Sequence, residues 1–210
     1  MFSTLLPGLR SREIILGSAS PRREEILRKL GLPFRVVTSQ FAEDLDKANY
    51  RSRPADYAVE NAYCKGTSVC EQLNGQPGSK VVIACDTVVY CDGKIYEKPS
   101  DAQDAYQMIS ELNDKEHDVF TGIVLLETGA NEVKVVAKFS VATKVHLGHL
   151  TEDIISAYIA TAEPFDKAGG YGIQGAGATL IKEIHGDFYN VMGLPLYALA
   201  QNLLLVYGDK

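Results

Sequence analysis

Ile14-Ile15-Leu16-Gly17-Ser18-Ala19-Ser20-Pro21-Arg22-Arg23 runs from a short apolar stretch into a polar, proline-marked turn, and then into a stripe at Ile26, Leu27 and Leu30. The apolar run reads as a buried strand over 13–17, and the stripe as a helix over 21–30. Ser20 stands where an N-cap belongs. Pro21 falls at the first helical position, where a missing N–H is no loss. A helix that starts just after a buried strand presents free backbone N–H groups and the positive end of its dipole beyond the strand. Ser18, Ser20, Arg22 and Arg23 add two hydroxyls and two guanidiniums at the same place. Arg23 opens the stripe 23, 26, 27, 30, so it points toward the protein. Such a cluster suits an anion, phosphate best of all. The plainer alternative is a capped helix with solvated arginines.

Outward from this unit, strand and helix signals alternate. A second strand is expected over 34–38, a polar loop over 40–53, and a helix over 54–73 that Pro54 opens and Asn74-Gly75-Gln76-Pro77-Gly78 closes. Residues 80–91 read as a strand, Asp92-Gly93 as a hairpin turn and 94–97 as the return. Ser100 is placed to cap a helix over 101–112. Two long β-rich runs, 119–126 and 133–147, flank the turn residues 127–131. A helix over 151–161 leads to a glycine-rich loop, strands near 178–184 and 188–192, and a last helix behind Pro195. Long central runs and a hairpin favour a mixed sheet with flanking helices over a purely parallel one. At 210 residues, without repeats or linkers, the chain reads as one α/β domain with room for two lobes.

Composition narrows the partners. Hydrophobic residues at 46% and charged ones at 23% are ordinary for a globular protein. A net charge of −6 argues against nucleic acid, which needs a broad basic surface. A basic site inside an acidic chain suits a small anionic ligand. No apolar run approaches membrane-spanning length, and Met1-Phe2-Ser3-Thr4-Leu5-Leu6-Pro7 lacks the basic start and apolar core of a secretory signal. Cys64, Cys70, Cys85 and Cys91 form no C-x-x-C pair, so free thiols in the cytoplasm are expected.

Several further residues bear on chemistry. Asp86 interrupts the apolar run Val81 to Tyr90, and a carboxylate buried there needs a cation, a metal or several donors. It reads as a poised base or a magnesium ligand, or else as a strand-end Asp bonded to local backbone. Lys65 lies on the same helix side as Ala58, Ala62 and Val69, where a lysine must reach into a cleft or snorkel. Lys98, in Glu97-Lys98-Pro99, and Glu43, in a polar loop, carry little signal alone. Gly170-Tyr171-Gly172-Ile173-Gln174-Gly175 includes a literal G-x-G-x-x-G with its neighbours, but no apolar strand precedes it and no helix follows, so it is not a dinucleotide fingerprint. Gln174 can offer a paired donor and acceptor to a base edge. No Walker A pattern is present, and His146 and His149 lack a third zinc ligand nearby.

Taken together, Ser18 to Arg23, Asp86-Thr87-Val88-Val89, Glu97-Lys98-Pro99, the H-x-V-x-T-G run from His117 to Gly122, and Asp166-Lys167-Ala168-Gly169 through Gly175 resemble the Maf family of nucleoside triphosphate pyrophosphatases. The resemblance spans about 12–206. It implies an elongated mixed sheet with flanking helices, of the inosine triphosphate pyrophosphatase-like kind, with two lobes around a central cleft. An extension over 1–11 would precede a single catalytic domain over 12–208. The resemblance further implies hydrolysis of dTTP or UTP to the monophosphate and pyrophosphate with a divalent metal, Mg2+ by preference, and a homodimer is compatible with it. Asp86 matches the family's proton acceptor, and Arg22, Thr87 and Gln174 match the positions that mark the dTTP/UTP branch; a branch acting on 7-methyl-GTP differs there. On this reading Asp86, Lys65 and Lys98 are catalytic, Ser18, Ser20, Arg22, Arg23, Thr87 and Gln174 bind substrate, and Glu43 and Asp86 hold the metal. The competing readings are a pyrophosphatase preferring 7-methyl-GTP, nucleotide binding without turnover, and a phosphotransferase or monophosphate phosphatase that shares the anion site.

Overall fold

The computed structural model describes residues 6–129 and 132–208. Residues 1–5 of the expected extension, and Ala130 and Asn131 of the expected turn, lie outside them. Among the described residues seven strands form one mixed sheet: β1 (Arg12–Gly17), β2 (Arg35–Val36), β3 (Ser79–Cys91), β4 (Lys94–Tyr96), β5 (Glu116–Thr128), β6 (Val133–Leu147) and β7 (Ile181–His185). The spatial order is β2-β1-β3-β5-β6-β7, with β4 also on β3. β1 runs parallel to β2 and β3, and every other pairing is antiparallel. Among the described residues six α-helices flank the sheet: α1 (Pro21–Arg28), α2 (Pro54–Gln72), α3 (Ala102–Leu112), α4 (Glu152–Ala160), α5 (Phe188–Met192) and α6 (Leu196–Tyr207).

The sheet's pairing leaves one gap that matters. β5 covers one edge of β3 from Lys80 to Tyr90. On the other edge β1 covers Ser79 to Ala84 and β4 covers Val89 to Cys91. Residues 85–88 therefore face no strand on that side, because β1 stops at Gly17 and the chain turns into α1.

Period-two alternation then sorts the side chains of β3. On one face Val81, Ile83 and Cys85 join a core with α1 and α6, while Val89 and Cys91 join a second core with α3 and α4. Thr87 falls between them. On the opposite face Val82 packs under α2, Val88 packs near the start of α2 beside Tyr57, and Asp86 falls between. The two polar residues thus sit at a waist between two apolar cores, which is the two-lobed arrangement the sequence suggests. Leu6 and Leu9 pack into the first core with Leu203 and Tyr207.

Two glycines let α2 come close enough to matter. A Cβ at Gly122, which pairs with Asp86 across β3 and β5, would overlap the backbone of Ala58 and Val59. A Cβ at Gly66 would overlap the Leu126 side chain.

Three local expectations are corrected. Residues 188–192 are a helix, because the Asp187 carboxylate accepts from the Tyr189 N–H and Gly193, at φ 111, ends the turn. Residues 175–180 form a 3-10 turn, so the strand there is only β7. The cap of α3 is Asp101, whose carboxylate accepts from the Asp104 N–H, while the Ser100 N–H donates to the Asp104 carboxylate. All four cysteines are free, and among the described residues no helix is long and apolar enough to cross a membrane.

Candidate active site

The turn from β1 into α1 builds the first wall. Ser20 is extended and its hydroxyl accepts from the Arg23 N–H, so the expected cap is present. Arg23 reaches inward and its guanidinium is fixed in three directions. Nε donates to the Gly193 carbonyl (2.8 Å), Nη1 to Ser18 Oγ (3.2 Å) and Nη2 to Thr87 Oγ1 (3.0 Å). Thr87 and Thr121 are cross-strand neighbours with hydroxyls 3.0 Å apart, and Thr121 donates to the Asn190 carbonyl. That last bond sets the direction of the chain: Thr87 must donate to Thr121 and accept from Arg23. Arg23 is therefore a fixed positive charge at the waist.

Asp86 and Lys65 form the second wall. α2, seated close by Gly66 and Gly122, brings Lys65 Nζ to 2.6 Å from Asp86 Oδ1 and 2.6 Å from Glu43 Oε2. Lys65 and Asp86 are almost fully buried. Burial pushes the Asp86 carboxyl above the usual carboxylate range, with the Lys65 and Arg23 charges pulling the other way. Lys65 occupies only Oδ1; among the described residues no donor is bonded to Oδ2. Glu43 holds a left-handed backbone, φ 55, which is uncommon for a residue with a Cβ and tends to mark a functional loop.

The remaining expected residues arrive from the other lobe. Lys98 follows β4, and its neighbour Glu97 is pinned by the Tyr57 hydroxyl (2.8 Å) and Lys47 (2.5 Å). Arg22 donates through Nη1 to Asp166 Oδ2 (2.6 Å) and through Nη2 to the Asp166 carbonyl (3.0 Å). Gln174 precedes the 3-10 turn at 175–180. Ser18, Ser20, Arg22, Arg23, Glu43, Lys65, Asp86, Thr87, Lys98 and Gln174 all line one cleft. Asp166, Lys167 and Tyr171 line it too; sequence reasoning gave these three no role. Tyr171 is backed by His117, whose Nε2 lies 2.6 Å from its hydroxyl.

Among the described residues no three His, Cys, Asp or Glu side chains cluster as a metal cage. Glu43 and Asp86 share one ammonium partner, so their carboxylates converge on one spot. Two carboxylates fit a hard cation that takes its other ligands from water and phosphate. His146 lies 3.8 Å from Asp114, away from the cleft.

A family model described as Maf-like protein matches residues 13–205. A human relative named probable bifunctional dTTP/UTP pyrophosphatase/methyltransferase protein is 43% identical over 95% of this chain, which spans about 33% of that relative's length. A dTTP/UTP pyrophosphatase of Dictyoglomus turgidum is 42% identical over 94% of this chain and 97% of its own. One of the same name from Clostridium novyi is 39% identical over 94% and 97%. Among solved structures the Staphylococcus aureus Ham1 protein aligns over 81% of this chain and 80% of its own, at 17% identity and a TM-score of 0.38, a likeness too loose to bear on the site. With the match covering nearly all of both lobes and every wall of the cleft, the chain belongs to the Maf-like protein family.

Proposed function

We propose that this protein hydrolyses UTP and dTTP to the nucleoside monophosphate and pyrophosphate. The observation that carries the reading is the meeting of Asp86, Lys65 and Glu43 with the arginine-bearing start of α1 in one cleft. The names of the relatives from D. turgidum and C. novyi supply the substrate pair.

In this reading Ser18, Ser20, Arg22 and Lys98 receive the triphosphate, with Arg23 as the fixed charge behind them. Helix-terminal N–H groups and guanidiniums suit phosphate oxygens. Water adds across the phosphoanhydride between the α- and β-phosphorus atoms, and Asp86 accepts the water's proton at Oδ2. Lys65 keeps Asp86 oriented and offsets charge that develops on the phosphates. Glu43, joined by Asp86 where that residue serves as ligand and not as base, would hold a divalent cation, Mg2+ by its preference for oxygen ligands, and the cation would neutralise phosphate charge. Gln174 reads the base, because its amide can donate to a pyrimidine carbonyl and accept from the ring N3–H. The free thiols suit a reducing, cytoplasmic setting.

The test is product identity. With UTP and Mg2+, pyrophosphate and UMP are expected in equal amounts. Orthophosphate as the primary product would replace this reading with a phosphatase, and UTP binding without any product would leave only a nucleotide sensor.

A further inference from the structure

Arg22 and Gln174 are supplied by separate elements, and a run of charged bonds joins them. Asp166 divides its carboxylate: Oδ2 takes Arg22 Nη1 at 2.6 Å, and Oδ1 takes Lys167 Nζ at 2.7 Å. Lys167 Nζ also donates to the Glu163 carbonyl at 2.6 Å. The Glu163 carboxylate then accepts the backbone N–H groups of Ala176 (2.9 Å) and Gly177 (3.1 Å), just beyond Gln174. Tyr158 adds a second tie: its hydroxyl donates to Glu163 and accepts from the Gly172 N–H.

The glycines on either side of Gln174 are shaped to this run. A Cβ at Gly172 would lie 2.5 Å from Lys167 Cε, and one at Gly175, where φ is +66, would lie 2.6 Å from Glu163 Oε2. The loop is wrapped on Lys167 and Glu163 at van der Waals range, which is the opposite of a slack connection.

We propose that Asp166 and Glu163 are positioning residues for base selection, tying Arg22 and Gln174 into one hydrogen-bonded unit. The idea rests on the pyrophosphatase reading for its substrate, but it concerns binding and can be measured without turnover. Asp166→Ala frees Arg22 and Lys167 together, and Glu163→Gln replaces one of the two acceptors that hold the turn after Gln174.

The experiment compares affinities for the non-cleavable α,β-methylene analogues of UTP and ATP by calorimetry, alongside steady-state kinetics. Asp166→Ala should weaken the UTP analogue about tenfold and narrow its advantage over the ATP analogue by a similar factor, the scale of a lost hydrogen-bonded recognition contact. KM for UTP should rise with kcat within about twofold, the signature of lost uniform binding. In an Arg22→Ala background the same change should still narrow the ratio, because Asp166 also reaches the Gln174 loop through Lys167 and Glu163. Glu163→Gln should narrow the UTP-to-ATP ratio as well. Should Asp166→Ala fail to fold, Asp166→Asn, which keeps one acceptor oxygen, carries the same comparison. An unchanged analogue ratio would overturn the proposal, as would a ratio that Asp166→Ala leaves untouched in the Arg22→Ala background. So would tighter binding, because Asp166 would then be a competitor for Arg22. A wild-type protein that selects the UTP analogue but cleaves no triphosphate would refute the pyrophosphatase reading alone.

Discussion

Asp86→Asn tests the chemistry at the waist with little disturbance of shape. The substitution preserves volume and keeps an oxygen in the carboxylate plane, but removes the charge and the proton acceptor. Loss of a positioned general base costs about a hundredfold to ten-thousandfold in turnover, or about 3–5 kcal/mol of transition-state stabilisation. The structural cost should be smaller. Breaking a buried ion pair can cost about 3–5 kcal/mol when a charge is left alone, yet Lys65 keeps Glu43 at 2.6 Å. The remaining penalty should stay below about 2 kcal/mol, a fall in Tm of less than about 8 °C for a chain of this size. Pyrophosphate release under saturating UTP and a thermal melt are the two assays. A variant that melts near the wild type with kcat reduced at least about a hundredfold supports the assignment. A folded variant that retains more than about a tenth of wild-type kcat refutes it.

Two other expectations concern the frame around the site. Gly122→Ala places a methyl group into the Ala58–Val59 backbone; overpacking of this kind costs about 1–3 kcal/mol or more, so Tm should fall by several degrees, and an unchanged Tm would mean that the close approach of α2 is not needed. His117 is 2% exposed and burial pushes it down from 6.5 to about 4, helped by the His146 charge and opposed by the Lys115 backbone, Asp118 and Glu116, which favour its charged form. Because the unfolded chain takes up that proton first, the stabilisation is complete above about pH 6.5 and is lost as pH falls toward 4. Between pH 7.5 and 5 the wild type should lose about 2 kcal/mol more than His117→Gln in urea unfolding, and equal losses would contradict the buried neutral imidazole.

What the sequence revealed, and what it did not, follows the range of the interactions. Ser20 and Pro21 act within one turn of helix, so their roles could be read from spacing, and the stripe 23, 26, 27, 30 gave the inward direction of Arg23 but not its partners Thr87 and Gly193. Asp86 stood out because a carboxylate in a run of buried aliphatics needs a partner, and Lys65 because of its place on an apolar helix face. The helix at 188–192 was missed because five residues show no period, and its real signals were the caps at Asp187 and Gly193. Asp166 entered only as part of the family-resembling run, and Glu163 was given no role. Their partners are Arg22, 144 residues away for Asp166, and backbone N–H groups that exist only once the glycine loop has folded. The gap in β3 at 85–88 is likewise a property of strand lengths in three dimensions, with no local mark.

The most direct measurement of the central claim is kcat/KM for UTP, dTTP, ATP, GTP and 7-methyl-GTP under one Mg2+ condition, with products separated by chromatography. With Gln174 as the base-reading residue of the cleft that holds Asp86, UTP and dTTP should lead the series, each giving its monophosphate and pyrophosphate. A clear lead for 7-methyl-GTP would contradict the assignment of the base-reading residues. A lead for ATP or GTP would contradict it equally.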